Sequence, residues 1–236
     1  ENRIPFPENS FAITFDDGFE NNVSVAGPVL ERLENPAMIY LTSGFIEKNG
    51  MSWIDRIERA VEDAEVQQVT PPRMQTYEIN DAASRIELLS DIRKRVKNDP
   101  DIDAIEFADT LVNMLGDNRP QSGDDPLDLK LTWEQIAELK NSPVISFGGH
   151  SHTHPILSFL SPRRLESEGA TSVRLMKEKA GISSIHYSYP EGQANCFSEE
   201  VIACLKEHGV KCCPTAMDGL NTEAADPFRL LRIMVA

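Results

Sequence analysis

With 236 residues, 40% of them hydrophobic and 26% charged, the chain has enough apolar material for one large domain or two small ones, and one is expected. Its formal charge of −15 and pI near 4.7 argue against nucleic acid or an anionic membrane as partner, because both require a basic patch to neutralise phosphates. A neutral or cationic partner suits this balance better.

No run of about 18 apolar residues is present, so no membrane span is expected. The opening "ENRIPFPENS" has no signal-peptide pattern and the sequence starts without Met, so a cytoplasmic location and export followed by processing both stay open. No pattern speaks to the oligomeric state. Cys196, Cys204, Cys212 and Cys213 cluster late without CxxC spacing, which argues for buried free thiols over a structural zinc finger, with a disulfide open if the protein is exported.

In chain order, "FAITF" (11–15) predicts a strand, "SVAGPVLERLE" (24–34) a helix with Pro28 near its start, and "AMIYLTSGF" (37–45) a second strand. Residues 48–128 differ in character. "WIDRIERAVEDAE", "AASRIELLSDIRKRVK" and "AIEFADTLVNMLG" carry apolar residues at three- and four-residue spacing and predict helices. Between them "VTPPRMQTYEIND" predicts an irregular or hairpin segment, and "DNRPQSGDDP" a loop. We read 48–128 as a helical insertion within a single domain spanning 1–236.

The alternation then resumes. "TWEQIAELKN" predicts a helix with Thr132 as N-cap and Gln135 closing a capping box, followed by a strand at "VISFGG". A helix opens at Ser161–Pro162 and ends near Ala180 before Gly181, and another spans about Ser198 to His208. Strands are expected in "IHYSYPEG" (185–192), "KCCPTAM" (211–217) and "RLLRIMV" (229–235). Repeated strand–helix units imply an α/β fold with a mainly parallel sheet, open or closed to a barrel, and functional groups at the C-terminal ends of its strands.

Two constellations fall at such ends. "ITFDDGFENN" places Asp16 and Asp17 where a strand gives way to Gly18, whose flexibility allows a tight exit. Adjacent residues leaving a strand point in different directions, so one carboxylate can hold a metal while the other faces a substrate water; a solvated acidic turn is the plainer alternative. "GGHSHTHP" (148–155) sets His150 and His154 four residues apart, a spacing that can aim two imidazoles at one ion. Either motif alone is unremarkable. Together an Asp, His, His set with open coordination positions is what a hydrolytic metal site needs, since those positions hold water and a substrate oxygen.

"TFDDG" (14–18), "HSHTHP" (150–155) and "SYPEG" (188–192), in that order, resemble the motifs of the polysaccharide deacetylases of the NodB-homology group. The resemblance implies a deformed (β/α) barrel and metal-dependent removal of acetyl groups from glycans, for example from an N-acetylhexosamine. It implies Asp16 as general base and Asp17, His150 and His154 as ligands of a divalent metal, most simply Zn2+. Ser151 and Thr153 would shape the ligand loop, and the backbone N–H of Glu191 would help hold the oxyanion.

The sequence also departs from that pattern. The family's third motif has arginine two places before its proline and an aromatic just after it, where this chain has Ser188 and Glu191. Arg232, in "RLLRIMV", is the candidate to reach Asp16 instead, with Leu230 sharing its inward face and Leu231 and Ile233 packing outward; a structural surface arginine is the alternative. No histidine follows His208 to act as the family's usual general acid. His186 is read as a satisfied core histidine, His152 as a weak acid candidate pointing away, and His208 as a cation at a helix end. Trp53, Tyr40, Tyr187 and Tyr189 are candidate sugar-stacking surfaces. The alternative to an enzyme is a catalytically impaired, metal- or glycan-binding relative, because two accessory motifs have eroded.

Overall fold

The computed structural model describes residues 10–120, 122, 125–183 and 185–235; the other residues of the expected 117–126 loop lie outside these. Strand β1 (Ile13–Phe15) leads through two short helices, α1 (Asn21–Ser24) and α2 (Ala26–Leu33), to β2 (Ala37–Leu41). The single helix expected over 24–34 is therefore broken at Val25. Pro28 has no N–H to give to the Ser24 carbonyl, so the helix that starts at Ala26 does not continue the one that ends at Ser24.

The second strand stops at Leu41, short of the expected Phe45, and the chain turns at Thr42 into α3 (Ser43–Lys48). Thr42 is the N-cap in extended conformation, and its carbonyl accepts from Phe45 and Ile46 N–H. The helical segment follows, with α4 (Trp53–Glu62), a short antiparallel hairpin of β3 (Gln68–Val69) and β4 (Tyr77–Glu78), α5 (Ala82–Val96) and α6 (Ala104–Met114). Ser52 and Asp81 cap α4 and α5 with reciprocal capping boxes, and Asp103 caps α6.

Helix α7 (Trp133–Leu139) begins at the expected Thr132–Gln135 capping box and leads to β5 (Ile145–Gly149). Helix α8 (Pro162–Ala180) starts with proline and ends at Gly181, whose φ of 69° only glycine adopts at little cost. Helix α9 (Glu199–Glu207), capped by Ser198, completes the set.

Strands β1, β2 and β5 pair in that order, all parallel, with Phe15 opposite Ile39 and Ile39 opposite Phe147. Parallel bridges Gly149–Tyr187, His186–Cys212 and Pro214–Leu230 carry the sheet outward from β5. The three expected C-terminal strands thus reduce to single bridges among the described residues. Pro190 and Pro214 interrupt the first two of these stretches and cannot donate to a ladder.

Two apolar clusters flank this sheet. One packs Ile39, Leu41, Ile145 and Phe147 against Leu30, Ile136 and Met176, and the other surrounds Tyr187 and Tyr189 with Leu165, Val201 and Leu205. A third cluster is built wholly from residues between Trp53 and Leu115, centred on Ile57, Leu88, Ile92, Ala108 and Leu111. Tyr40, Tyr187 and Tyr189 are at most 3% exposed, which removes them as sugar-stacking surfaces. Ile233 does not pack outward against a helix as expected but is exposed. All four cysteines are free thiols.

The sequence alone does not separate Leu88 from Ile86, two aliphatic residues two positions apart on α5; the fold leaves one fully buried and the other 66% exposed. Leu88→Ala should destabilise the protein by about 2–5 kcal/mol through lost transfer energy and a cavity. Ile86→Ala should stay within about 0.5 kcal/mol of wild type, both read from urea-unfolding midpoints.

Candidate active site

The groups that sequence separates converge at the C-terminal ends of the parallel strands. Asp16 and Asp17 follow β1, Thr42 follows β2, His150 follows β5, and Ser188 follows the bridge at Tyr187. Asp17 has φ 70° and Gly18 φ 73°. A side chain at Gly18 would meet Leu41 Cδ2 at 2.8 Å as well, so glycine is required there twice over. Ser151 (φ 65°), His154 (φ 61°) and Glu191 (φ 62°) are left-handed too. Each such residue costs about 1–2 kcal/mol in an L-chain. The fold sustains this strain through the hydrogen bonds described next.

His150 is buried, and its Nδ1 lies 2.8 Å from the Ser188 carbonyl. A carbonyl only accepts, so Nδ1 carries the proton and the Nε2 lone pair is free. That Nε2 lies 4.0 Å from Asp17 Oδ1 and 3.9 Å from Asp16 Oδ2. His154 Nε2 is 3.6 Å from the same Asp17 Oδ1, and the two imidazoles meet edge-on at 4.9 Å between centroids. Burial pushes the His150 pKa down; the nearby Asp16 opposes this and His154 adds to it. Burial thus favours the neutral imidazole, the form that ligates a metal.

These three side chains fit a small divalent ion. Oxygen and nitrogen ligands about 2.0–2.1 Å from a tetrahedral centre lie about 3.3 Å from each other, so 3.6 and 4.0 Å require movements of a few tenths of an ångström. The donor set is one carboxylate and two imidazoles, and it faces a partly open side: Asp17 is 23% exposed and Asp16 27%. Asp17 is further oriented by the Thr42 hydroxyl, which donates to Oδ1 at 2.9 Å.

The loop that carries His154 is held from behind. Glu168, on α8, accepts from the backbone N–H of His152 and Thr153 at 2.8 and 2.9 Å and from the Thr153 hydroxyl at 2.6 Å. Ser151 Oγ accepts from His154 N–H. Sequence reading pointed to Ser151 and Thr153 but missed Thr42 and Glu168. A signal for Glu168 existed: it sits three residues after Leu165 and four before Ser172, on the inward stripe of α8.

Asp16 is met from the far end of the chain. Arg232 Nη1 and Nη2 donate to Asp16 Oδ1 and Oδ2, both at 2.9 Å, while Nη1 also reaches Thr14 Oγ1 and Nε donates to the Thr215 carbonyl. Burial opposes ionisation of Asp16, but His150, the Arg232 hydrogen bonds and charge, and His154 outweigh it. Its pKa lies below the ordinary carboxylate value. Ser188, where the resemblance would put an arginine, is fully buried.

Glu191 lies at the rim, and its carboxylate is 2.5 Å from Lys97 Nζ at the end of α5. Asn195 donates to the Lys97 carbonyl, so two contacts tie the helical segment to the stretch from Glu191 to Asn195. His152 is turned aside, with Nδ1 against the Ser43 hydroxyl. His186 is half-buried away from these groups, and His208 pairs with Glu166. Trp53 is mostly core, yet it borders a cleft of about 190 Å³ that runs beside His154 and Pro155 and is also lined by Ile102, Asp103, Phe159 and Arg164.

The sequence profile described as polysaccharide deacetylase matches residues 3–213. Among curated protein sequences none matches this chain. Solved structures share the fold. IcaB from Ammonifex degensii aligns at 18% identity and TM-score 0.59, over 99% of this chain and 71% of that one. The BpsB deacetylase domain from Bordetella bronchiseptica aligns at 15% and 0.58, over 97% and 72%. The Streptococcus pyogenes deacetylase PplD, solved in complex with acetate, aligns at 17% and 0.55 over 94% of this chain, which spans only 62% of that protein. With 211 consecutive positions inside the family profile and the motif residues assembled at one end of a parallel sheet, the chain belongs to the polysaccharide deacetylase family, hydrolases that deacetylate glycans.

Proposed function

We propose that the protein is a metal-dependent deacetylase acting on an N-acetylhexosamine-containing glycan. The observation that carries this reading is the bidentate Arg232–Asp16 pair beside the Asp17, His150 and His154 cluster. A pure binder has little use for a second, ionised carboxylate held in place next to the ligands.

In this reading Asp17 Oδ1, His150 Nε2 and His154 Nε2 hold the ion, in the simplest case Zn2+. When bound, such an ion would polarise the acyl oxygen and acidify water, bringing its pKa down to about 7 in the best zinc case. Asp16 receives the proton of the attacking water. Its Oδ2 is the oxygen nearer His150 Nε2, and each carboxylate oxygen keeps a lone pair beyond the one Arg232 uses. The low pKa of Asp16 keeps it ready as a base at neutral pH, and makes its protonated form a strong acid able to return the proton to the leaving amine. The Glu191 backbone N–H serves as oxyanion donor, a type of stabilisation often worth the most in acyl transfer. The cleft beside His154 would receive the sugar, with Trp53 and Phe159 on its walls.

The deformed (β/α) barrel also belongs to this reading. The last bridge, at Leu230, and β1 form opposite edges of the strand order, yet one guanidinium spans from Thr215 to Thr14 and Asp16. Residues 48–128 are taken as an insertion in this one catalytic domain, and their separate apolar cluster supports that boundary.

Three outcomes test the reading. Replacing His150 and His154 together by Ala should remove one equivalent of bound divalent metal along with acetate release from an N-acetylglucosamine oligomer; full metal content in that variant would reject the ligand set. Asp16→Asn should keep the metal but lose about 100- to 10,000-fold in kcat, and near wild-type turnover would deny Asp16 the role of base. Arg232→Ala removes two hydrogen bonds and a positive charge from a carboxylate whose pKa they depress, so that pKa rises. The acid limb of the kcat/KM profile should then move to higher pH with metal content unchanged; an unmoved limb would separate Arg232 from the titration of Asp16.

A further inference from the structure

A second group of metal-ligating side chains lies outside the active site, where α9 ends against α8. Cys204 and His208 are one turn apart at the C-terminal end of α9, so their side chains share a face. That face meets Glu166 of α8. Glu166 Oε2 lies 3.2 Å from His208 Nε2 and 3.6 Å from Cys204 Sγ, and one donor atom from each residue falls within 4.8 Å of the other two.

Tetrahedral zinc with Zn–O and Zn–N near 2.0–2.1 Å and Zn–S near 2.3 Å requires about 3.3 Å between its oxygen and nitrogen ligands and about 3.5 Å between oxygen and sulfur. The observed separations match both, with one carboxylate oxygen shared.

A second observation is independent of those distances. Gly169 sits inside the 19-residue α8, one turn from Glu166, where glycine costs about 1 kcal/mol relative to alanine. A Cβ at that position would come within 3.1 Å of His208 Cδ2, 3.7 Å of His208 Nε2 and 3.8 Å of Cys204 Sγ. The glycine leaves the space into which the end of α9 settles, bringing both donors onto Glu166.

We propose that Glu166, Cys204 and His208 form a second, zinc-class metal site that clips α9 to α8. A thiol, an imidazole and a carboxylate select Zn2+, or Co2+ as its spectroscopic substitute, over the oxygen-seeking Mg2+ and Ca2+. Cys204 releases its proton to solvent as the sulfur–metal bond forms, and thiolate plus carboxylate then balance the two charges of the ion. Glu166 is 55% exposed, so the fourth position opens to water.

Cobalt reads this site directly, because a thiolate ligand adds a near-ultraviolet charge-transfer band that an Asp, His, His site cannot produce. The full chain should bind two equivalents of Co2+ and show the band. Cys204→Ala should bind one equivalent with no band while retaining deacetylase activity. In the His150→Ala/His154→Ala chain, one equivalent and the band should both remain. A wild-type chain that takes up only one equivalent without a thiolate band overturns the proposal, and so does a band that survives Cys204→Ala. The proposal does not rest on the catalytic reading, since the band and the Cys204-dependent equivalent are measured without substrate.

Discussion

The site depends on how a partly buried carboxylate is kept charged. Asp16 leaves the first strand of the sheet, and a carboxylate withdrawn from water is expensive unless paired and hydrogen-bonded. Arg232 answers that need from 216 residues further along, with the guanidinium itself held by Thr14 and the Thr215 carbonyl. Removing one member of such a pair leaves the other uncompensated, at about 3–5 kcal/mol. The pair therefore closes the chain on itself and sets the charge state of Asp16 in one stroke. With Asp16 paired from Arg232, an arginine at 188 is not needed for that pairing; Ser188 is fully buried, and its backbone carbonyl fixes the His150 tautomer.

Around this pair the backbone is held in conformations an L-chain avoids. Asp17, Ser151, His154 and Glu191 are all left-handed, and all lie at strand ends where loops must deliver side chains to one point. The compensation is specific. Glu168 satisfies two N–H groups and a hydroxyl of the loop over 150–154, Ser151 caps His154, and Thr42 bridges Asp17 to the His150 carbonyl. Helix α8 thus buttresses the site through Glu168 while presenting Glu166 to α9 on a neighbouring face.

The helical segment contributes differently. Its apolar cluster draws only on residues between Trp53 and Leu115, while Lys97 and the cleft at Trp53 bring it to the rim of the site. The ion pair between Lys97 and Glu191 gives a reason for glutamate after Pro190 where the family pattern has an aromatic: the turn is anchored by charge to the neighbouring helix.

How much of this the sequence determined follows from the range of each interaction. Capping boxes at Thr132, the proline start and glycine stop of α8, and the periodicity of α4, α5 and α6 are local, decided within four residues, and were legible as letters. So were the motif residues at 16–17, 150 and 154, because the ends of strands in an alternating α/β chain fall on one side of a parallel sheet. The break at Val25, the early end of β2 and the shrinkage of the last strands were not, since helix and strand patterns persist in the sequence after prolines or a turn have stopped the hydrogen bonds. The roles of Thr42, Glu168 and Lys97, and the meeting of Cys204 and His208 with Glu166, required the tertiary structure. A polar side chain's place on a helix stripe does not name a partner 15, 25, 38 or 94 residues away; the packing of the helices and strand ends chose those partners.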